Sequence, residues 1–307
     1  MNRKPLSIGR RAFMLSVAAS ALGPRLPATA QAGIHMRPIP ATGERLPAIG
    51  MGTWLTFDVG VDSWQLGERA RVLQTFFDLG GTVIDSSPMY GSAEEVIGRC
   101  LDLADAGQPL FAATKVWTPG RMLGVSQMWH SRDLWGVKRF DLMQIHNLVD
   151  WEAHLETLLD WKEQGKVRYI GVTTSHGRRH GELERIMAEQ PIDFVQFTYN
   201  IVDREAEARL LPLAAERGLA VIINRPFRGG GLFDLFGDRP LPEWAGEFGA
   251  ANWAQFFLKF IVSHPAVTCA IPATTRVDHM TENMGALRSL LPDPKIRARM
   301  ADHLTGL

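Results

Sequence analysis

The chain has 307 residues, with 33 lysines and arginines against 33 aspartates and glutamates, so its formal net charge is zero. Apolar residues make up 46%, which excludes a disordered chain because that much apolar surface offsets the entropy of ordering. Only Cys100 and Cys269 are present, which excludes a disulfide scaffold and a cysteine-built zinc site. No run reaches about 18 apolar residues, so no ordinary membrane span is expected. Balanced charge argues against a nucleic-acid partner.

The first thirty residues differ from the rest. Met1 to Ala30 holds Arg3, Lys4, Arg10, Arg11 and Arg25 and no acid, and Ala12 to Leu22 is apolar with small residues. Ala28-Thr29-Ala30 offers a cleavage site, and Ala30-Gln31-Ala32 a second. Charge, apolar core and small-residue site in that order are the layout of an export signal over residues 1–30. The pair Arg10-Arg11, followed by Phe13, resembles a twin-arginine signal. An export machinery and a periplasmic location are therefore expected; a disordered basic tail is the plain alternative. Without this segment 28 basic residues remain against 33 acidic ones, a net charge of −5. That further weakens a nucleic-acid or anionic-membrane partner.

One domain is expected from residue 37 to about residue 304. It opens on a short stretch, Arg37 to Leu46, whose Thr42-Gly43 suits a hairpin turn. Strands are then expected at Ile49–Trp54, Thr82–Asp85, Leu110–Lys115, Phe140–Ile145, Val167–Val172, Phe194–Tyr199, Ala220–Asn224 and Ala266–Ala270. Helical periodicity lies between them over Glu68–Leu79, Ala93–Ala104, Leu123–Leu134, Trp151–Gln164, Gly181–Glu189, Ala206–Arg217 and Asn252–Ser263. A last helix is expected over Val277–Leu290, with the chain ending soon after it and no long C-terminal specificity segment. Strict alternation implies a parallel sheet, and eight units in this length fit a closed (β/α)8 TIM barrel, capped by the N-terminal hairpin. An open doubly wound sheet would want a glycine fingerprint after an early strand; Ile49-Gly50-Met51-Gly52 lacks the third glycine.

Barrel chemistry collects where strands end. Asp85 ends the second strand with Tyr90 in the following loop, Lys115 ends the third, and His146 follows the fourth. A lysine beside a phenol is expected to lower its pKa, and an aspartate to hold that lysine in place. A neutral imidazole can orient a carbonyl oxygen. The group suits addition of a hydride to C=O, with Tyr90 as the proton donor and a cofactor as the hydride source. Singly, each has a plainer reading: helix cap for Asp85, rim aromatic for Tyr90, satisfied core residue for His146. An unpaired lysine at a barrel strand end has none, because burying it is costly.

The stretch Asp85-Ser86-Ser87-Pro88-Met89-Tyr90-Gly91-Ser92-Ala93-Glu94-Glu95-Val96-Ile97-Gly98 resembles the first signature of the aldo-keto reductase family. So do Thr114-Lys115, Gln144-Ile145-His146, Gly171-Val172-Thr173-Thr174, and Ile271-Pro272 through Glu282-Asn283. The resemblance covers nearly all of the chain beyond the signal, in order. It implies a (β/α)8 barrel and NADPH-dependent reduction of a small-molecule carbonyl, with a monomer as the family expectation. It assigns Tyr90 as general acid/base, Lys115 and Asp85 as its tuning pair, and His146 as the carbonyl-orienting group.

The resemblance also marks cofactor positions. Gln196 matches the residue that bonds the nicotinamide carboxamide; Thr173 and Thr174 stand where the family has Ser-Asn. Asn224-Arg225-Pro226-Phe227 replaces an aromatic followed by Ser-Pro-Leu, which removes the stacking ring and leaves Phe227 or Trp54 as substitutes. The glycines after Arg228 would let backbone amides approach a pyrophosphate. Thr274, Thr275 and Arg276 stand where the adenosine 2′-phosphate is held, with Arg276 the main cation, and Glu282 and Asn283 where adenine is met. Fewer cations there than in most members leave NADH possible. Trp54, Met89, Trp117, Phe57 and Phe227 are the expected apolar mouth. A nucleotide-binding sensor with little turnover is the second reading, and a phosphate-binding isomerase or aldolase barrel the third.

Overall fold

The computed structural model describes residues 33–105 and 107–306, so the export-signal reading lies outside the described residues. Ile34–Leu307 make one unit. Strands β1 (Met36–Pro38) and β2 (Arg45–Pro47) pair antiparallel, the hairpin expected around Thr42-Gly43.

Eight parallel strands follow: β3 (Met51–Gly52), β4 (Val83–Asp85), β5 (Phe111–Val116), β6 (Phe140–Ile145), β7 (Val167–Thr173), β8 (Phe194–Thr198), β9 (Ala220–Asn224) and β10 (Cys269–Ala270). They run in chain order around the sheet. Ile49 bridges Ala270 in parallel, with Gly50 N donating to Ala270 O at 2.8 Å and Ala270 N to Ala48 O at 2.9 Å, so the first and last strands meet. The strands read as near-continuous apolar runs because one face fills the barrel and the other meets the helices.

Helices alternate with the strands: α1 (Ser63–Asp78), α2 (Ala93–Leu103), α3 (Arg121–Trp135), α4 (Trp151–Glu163), α5 (His180–Glu189), α6 (Leu210–Arg217), α7 (Gly231–Phe236), α8 (Trp253–Val262), α9 (Val277–Gly285) and α10 (Pro294–Thr305). Side-chain caps start several of them, as Asp62 accepting from Gln65 N at 2.9 Å and Asn252 from Gln255 N at 2.9 Å. The sequence reading needs correction at the C-terminal end. Helix α9 stops at Gly285, and the carbonyls of Arg288 and Leu290 accept from buried Lys259 Nζ at 2.5 and 3.0 Å. A further helix, α10, follows, started by Asp293, which accepts from Ile296 N at 2.8 Å, and by Pro294 in its first turn. The glycine-rich stretch after Arg228 likewise carries helix α7.

Inside the ring, Val83, Phe111, Ala113, Leu142, Tyr169, Phe194, Ile222 and Cys269 form one apolar cluster, joined by Ile39 and Leu46 from the hairpin. The hairpin meets the N-terminal ends of the strands, where Tyr169 Oη donates to Glu44 Oε2 at 2.7 Å and Arg168 pairs with both Asp141 and Glu44. The opposite, C-terminal end of the ring is left for the site. No helix among the described residues is long and apolar enough to cross a membrane, and none of their acidic, histidine and cysteine side chains group to hold a metal.

Candidate active site

Asp85 is the last residue of β4 and Lys115 the fifth of β5; both are buried, Lys115 completely. Lys115 Nζ donates to Asp85 Oδ2 and, at 2.7 Å, to the carbonyl of Ser86. Burial is the strongest influence on this lysine and opposes its charge. Asp85, Tyr90 and Glu94 outweigh it together and hold the pKa above the ordinary lysine value. The other carboxylate oxygen, Asp85 Oδ1, accepts from Gln144 Nε2 at 2.8 Å and Gln196 Nε2 at 3.0 Å.

Tyr90 lies half-buried in the turn between β4 and α2, its ring centroid 5.4 Å from Lys115 Nζ. The next turn is anchored from the loop after β3, where Asp58 Oδ1 accepts from Ser92 N at 2.9 Å and Ser92 Oγ at 2.8 Å. The expected depression of the phenol pKa is not found. Desolvation dominates and raises it, with Lys115 pulling the other way and Asp85 adding to the rise. The phenol is thus kept protonated, which is the state a proton donor needs.

His146 follows β6 in a tight turn, its ring edge-on to Tyr90 with centroids 5.7 Å apart. Ser87 Oγ meets His146 Nδ1 at 2.8 Å, leaving Nε2 for the cavity. Burial, with the Lys115 charge, pushes the imidazole down to about 2, so it is neutral. The turn is strained, with Asn147 at φ 53° and Leu148 at φ 56°. It is held from two sides: Asn147 N donates to Thr173 Oγ1 at 3.1 Å, and Arg179 Nη1 to the carbonyls of Asn147 and Leu148 at 2.7 and 3.1 Å.

A cavity of about 410 Å³ opens over these groups. Asp85, Tyr90, His146, Thr173, Thr174, Gln196, Asn224, Arg225, Pro226 and Phe227 all line it, while Lys115 lies beneath. Thr174 Oγ1 is buried there without a hydrogen-bond partner. Asn224 is tied into the wall: its Nδ2 donates to Thr174 O at 2.8 Å and its Oδ1 accepts from Thr198 Oγ1 at 2.7 Å. Gly229 and Gly230, at φ +69° and +100°, bring bare backbone to the same wall.

The remaining positions expected to meet a cofactor fall elsewhere. The cavity reaches Ala273, and Thr275 and Arg276 line a separate surface groove with Glu68, Arg71 and Asp278. Thr274 is buried, its Oγ1 accepting from Arg276 N at 3.2 Å. The guanidinium of Arg276 is paired with Asp278, Nε to Oδ1 at 3.0 Å. Glu282 uses its carbonyl to accept from Gln255 Nε2 at 3.2 Å, and Asn283 is buried. Of the expected mouth, Trp54, Met89 and Phe227 line the cavity, joined by Phe233, which packs 4.9 Å from Phe227 between ring centroids. Phe57 does not line it: the chain turns at Leu55, φ 62°, and buries Phe57 completely in the core. Trp117 is exposed and also outside the lining.

Three residues that sequence reasoning gave no role now have one. Ser87 fixes His146, Gln144 holds Asp85, and Glu94 is a buried acid that accepts from Thr114 Oγ1 at 2.5 Å, Ser131 Oγ at 2.7 Å and Trp135 Nε1 at 3.3 Å. All three stand inside the quoted motifs, two to four residues from Asp85, His146 and Tyr90.

Comparison with known proteins agrees with this arrangement. The model of the Aldo/keto reductase family matches residues 48–300. Methylglyoxal reductase YeaE of Escherichia coli is 28% identical over 253 residues, covering 79% of this chain and 86% of that protein. L-glyceraldehyde 3-phosphate reductase of the same species is 25% identical over 317 residues, covering 86% and 90%. Among solved structures, an aldo/keto reductase from Klebsiella pneumoniae, in complex with NADP and acetate, superposes with a TM-score of 0.73 at 24% identity, covering 85% of this chain and 93% of that one. With the family model spanning all eight strands of the ring, the chain belongs to the aldo/keto reductase family.

Proposed function

We propose that this protein reduces the carbonyl of an aldehyde or ketone with NADPH, and that Tyr90 donates the proton. The observation that carries this reading is the convergence on one cavity of a protonated phenol, a buried lysine–aspartate pair and a neutral imidazole. The residues present suit the cofactor. An unpartnered Thr174 hydroxyl is what a carboxamide would satisfy, since buried polar groups are almost always paired. Thr173, Gln196, Asn224, Arg225, Pro226 and Phe227 would surround the nicotinamide half, and Gly229 and Gly230 would let the pyrophosphate approach. The groove at Thr275 and Arg276, with Thr274, Glu282 and Asn283, would take the adenosine end. NADH is the alternative, because Arg276 is already engaged by Asp278.

When bound, the nicotinamide supplies a hydride. Tyr90 passes its proton to the carbonyl oxygen as negative charge develops there. Lys115 keeps a positive charge beside the phenolate left behind, and Asp85 holds Lys115. Nε2 of His146, neutral and fixed through Ser87, orients the carbonyl oxygen. The test is NADPH oxidation across a carbonyl panel that starts with methylglyoxal. Tyr90→Phe is expected to keep NADPH binding and lose at least about a hundredfold in kcat. Failure of the unmodified protein to bind either nucleotide rejects the reading. Binding without turnover across the panel favours the sensor reading, for which Asn224 at the stacking position speaks.

The same reading extends to residues 1–30 as a twin-arginine export signal, cleaved near residues 30–32, with a single-chain protein working in the periplasm. Free NADPH is not expected there, so the folded protein would carry its cofactor out. Near-stoichiometric NADP(H) in protein purified from the periplasm supports this; an empty protein that exchanges cofactor rapidly rejects it. Sedimentation at the mass of one chain checks the monomer.

A further inference from the structure

Gln144 is fully buried on β6 and is not part of the cavity lining, yet it touches both halves of the site. Its Nε2 donates to Asp85 Oδ1 at 2.8 Å, and its Oε1 accepts from Gln196 Nε2 at 3.2 Å. Gln196 spends its other N–H on the same Asp85 oxygen at 3.0 Å. From Gln196 the chain of amides continues to Asn224, whose Nδ2 donates to Gln196 Oε1 at 3.4 Å and to Thr174 O at 2.8 Å.

The direction of every amide in this chain is forced. An ionised carboxylate only accepts, so both glutamines must turn their NH₂ groups toward Asp85. The remaining N–H of Gln196 then meets Gln144 Oε1, and Gln196 Oε1 is left facing Asn224 and the cavity. Geometry makes this possible. Gln144 is the register partner of Lys115 on one side and of Gly171 on the other. Register partners in a parallel pair point to the same face. Gly171 puts no side chain between Gln144 on β6 and Phe194 on β8, where a Cβ would come within 2.7 Å of Phe194 O, and Gln196 stands two residues further along β8, in register with Thr173.

We infer that Gln144 is a positioning residue that joins the acid–base pair to the nicotinamide end of the site. It holds Gln196 with both donors turned inward, so that Gln196 offers the cavity an acceptor and no donor. A nicotinamide carboxamide would then give its NH₂ to Gln196 Oε1 and take the Thr174 hydroxyl on its oxygen. The inference rests on the reductase reading above.

The test compares two nucleotides on the full chain. NADP⁺ carries the nicotinamide; 2′,5′-ADP lacks it and serves as the control for folding and for the adenosine end. Gln144→Met keeps the volume and removes both bonds. It is expected to weaken NADP⁺ about tenfold and leave 2′,5′-ADP unchanged, the size of one hydrogen bond to a charged network. Gln144→Glu places a second acceptor against Asp85 and is expected to lose more than the Met variant, again for NADP⁺ alone. Equal losses for both nucleotides, or none for either, overturn the positioning role. An unmodified protein that binds no NADP⁺ overturns the reductase reading itself.

Discussion

Ser87 Oγ and His146 Nδ1 meet at 2.8 Å across 59 residues of chain, from the loop after β4 to the turn after β6. The serine also accepts from Met89 N at 3.2 Å, so one hydroxyl fixes both the imidazole and the loop that carries Tyr90. Ser87→Ala should therefore lower kcat by about three- to tenfold, the worth of one neutral hydrogen bond, with little change in cofactor affinity. Steady-state kinetics beside an NADPH titration separates the two effects.

The buried pair Lys115–Asp85 should show strong coupling. Removing one partner of such a pair leaves an uncompensated charge and costs about 3–5 kcal/mol. Lys115→Met is expected to fall in this range and to abolish turnover. Asp85→Asn/Lys115→Met should recover part of the stability and none of the activity. Urea unfolding of both single variants and the double variant closes the cycle.

The pH dependence follows from two shifts with different signs. His146 titrates at about 2 in the folded protein, against about 6.5 for a free histidine. The unfolded chain therefore takes up a proton that the folded chain refuses. Its contribution to stability is full above about pH 6.5 and is lost as the pH falls toward 2. Thermal unfolding against pH should show a shallower acid decline in His146→Asn than in the unmodified protein. Tyr90 shifts upward, so the free enzyme keeps its proton through the neutral range. The profile of kcat/KM for reduction should carry no limb near pH 6–7 from His146, and its alkaline limb should lie above the ordinary tyrosine value of about 10.

Arg276 and Asp278 form an exposed pair at the start of α9, and burial does little to strengthen it. Asp278→Asn should free the guanidinium and raise the NADPH-to-NADH preference in kcat/KM by about two- to fivefold, more at low salt than at high. An unchanged ratio would mean that Arg276 does not reach the 2′-phosphate.

The order of elements was legible in the amino-acid sequence because each strand and helix declares itself locally. Phe140–Ile145 and Ala220–Asn224 fall as expected, and the other strands shift by a residue or a few. Asp85, Lys115 and His146 could be placed at strand ends for the same reason, and their family signature is contiguous text. Asp293-Pro294 is likewise a local start signal, and helix α10 begins there. What tertiary structure alone decided are quantities set by neighbours distant in the chain. The sign of the Tyr90 shift depends on how much water its packing removes. The turn of Gln196 toward Asp85 spans 111 residues, and that of Gln144 spans 59. Phe57 and Trp54 are both aromatic residues of one loop, on either side of the left-handed turn at Leu55, and tertiary packing puts Phe57 in the core and Trp54 at the cavity. Local pattern fixes which residue types stand at the end of each strand; closure of the ring fixes which of their donors and acceptors are already spent.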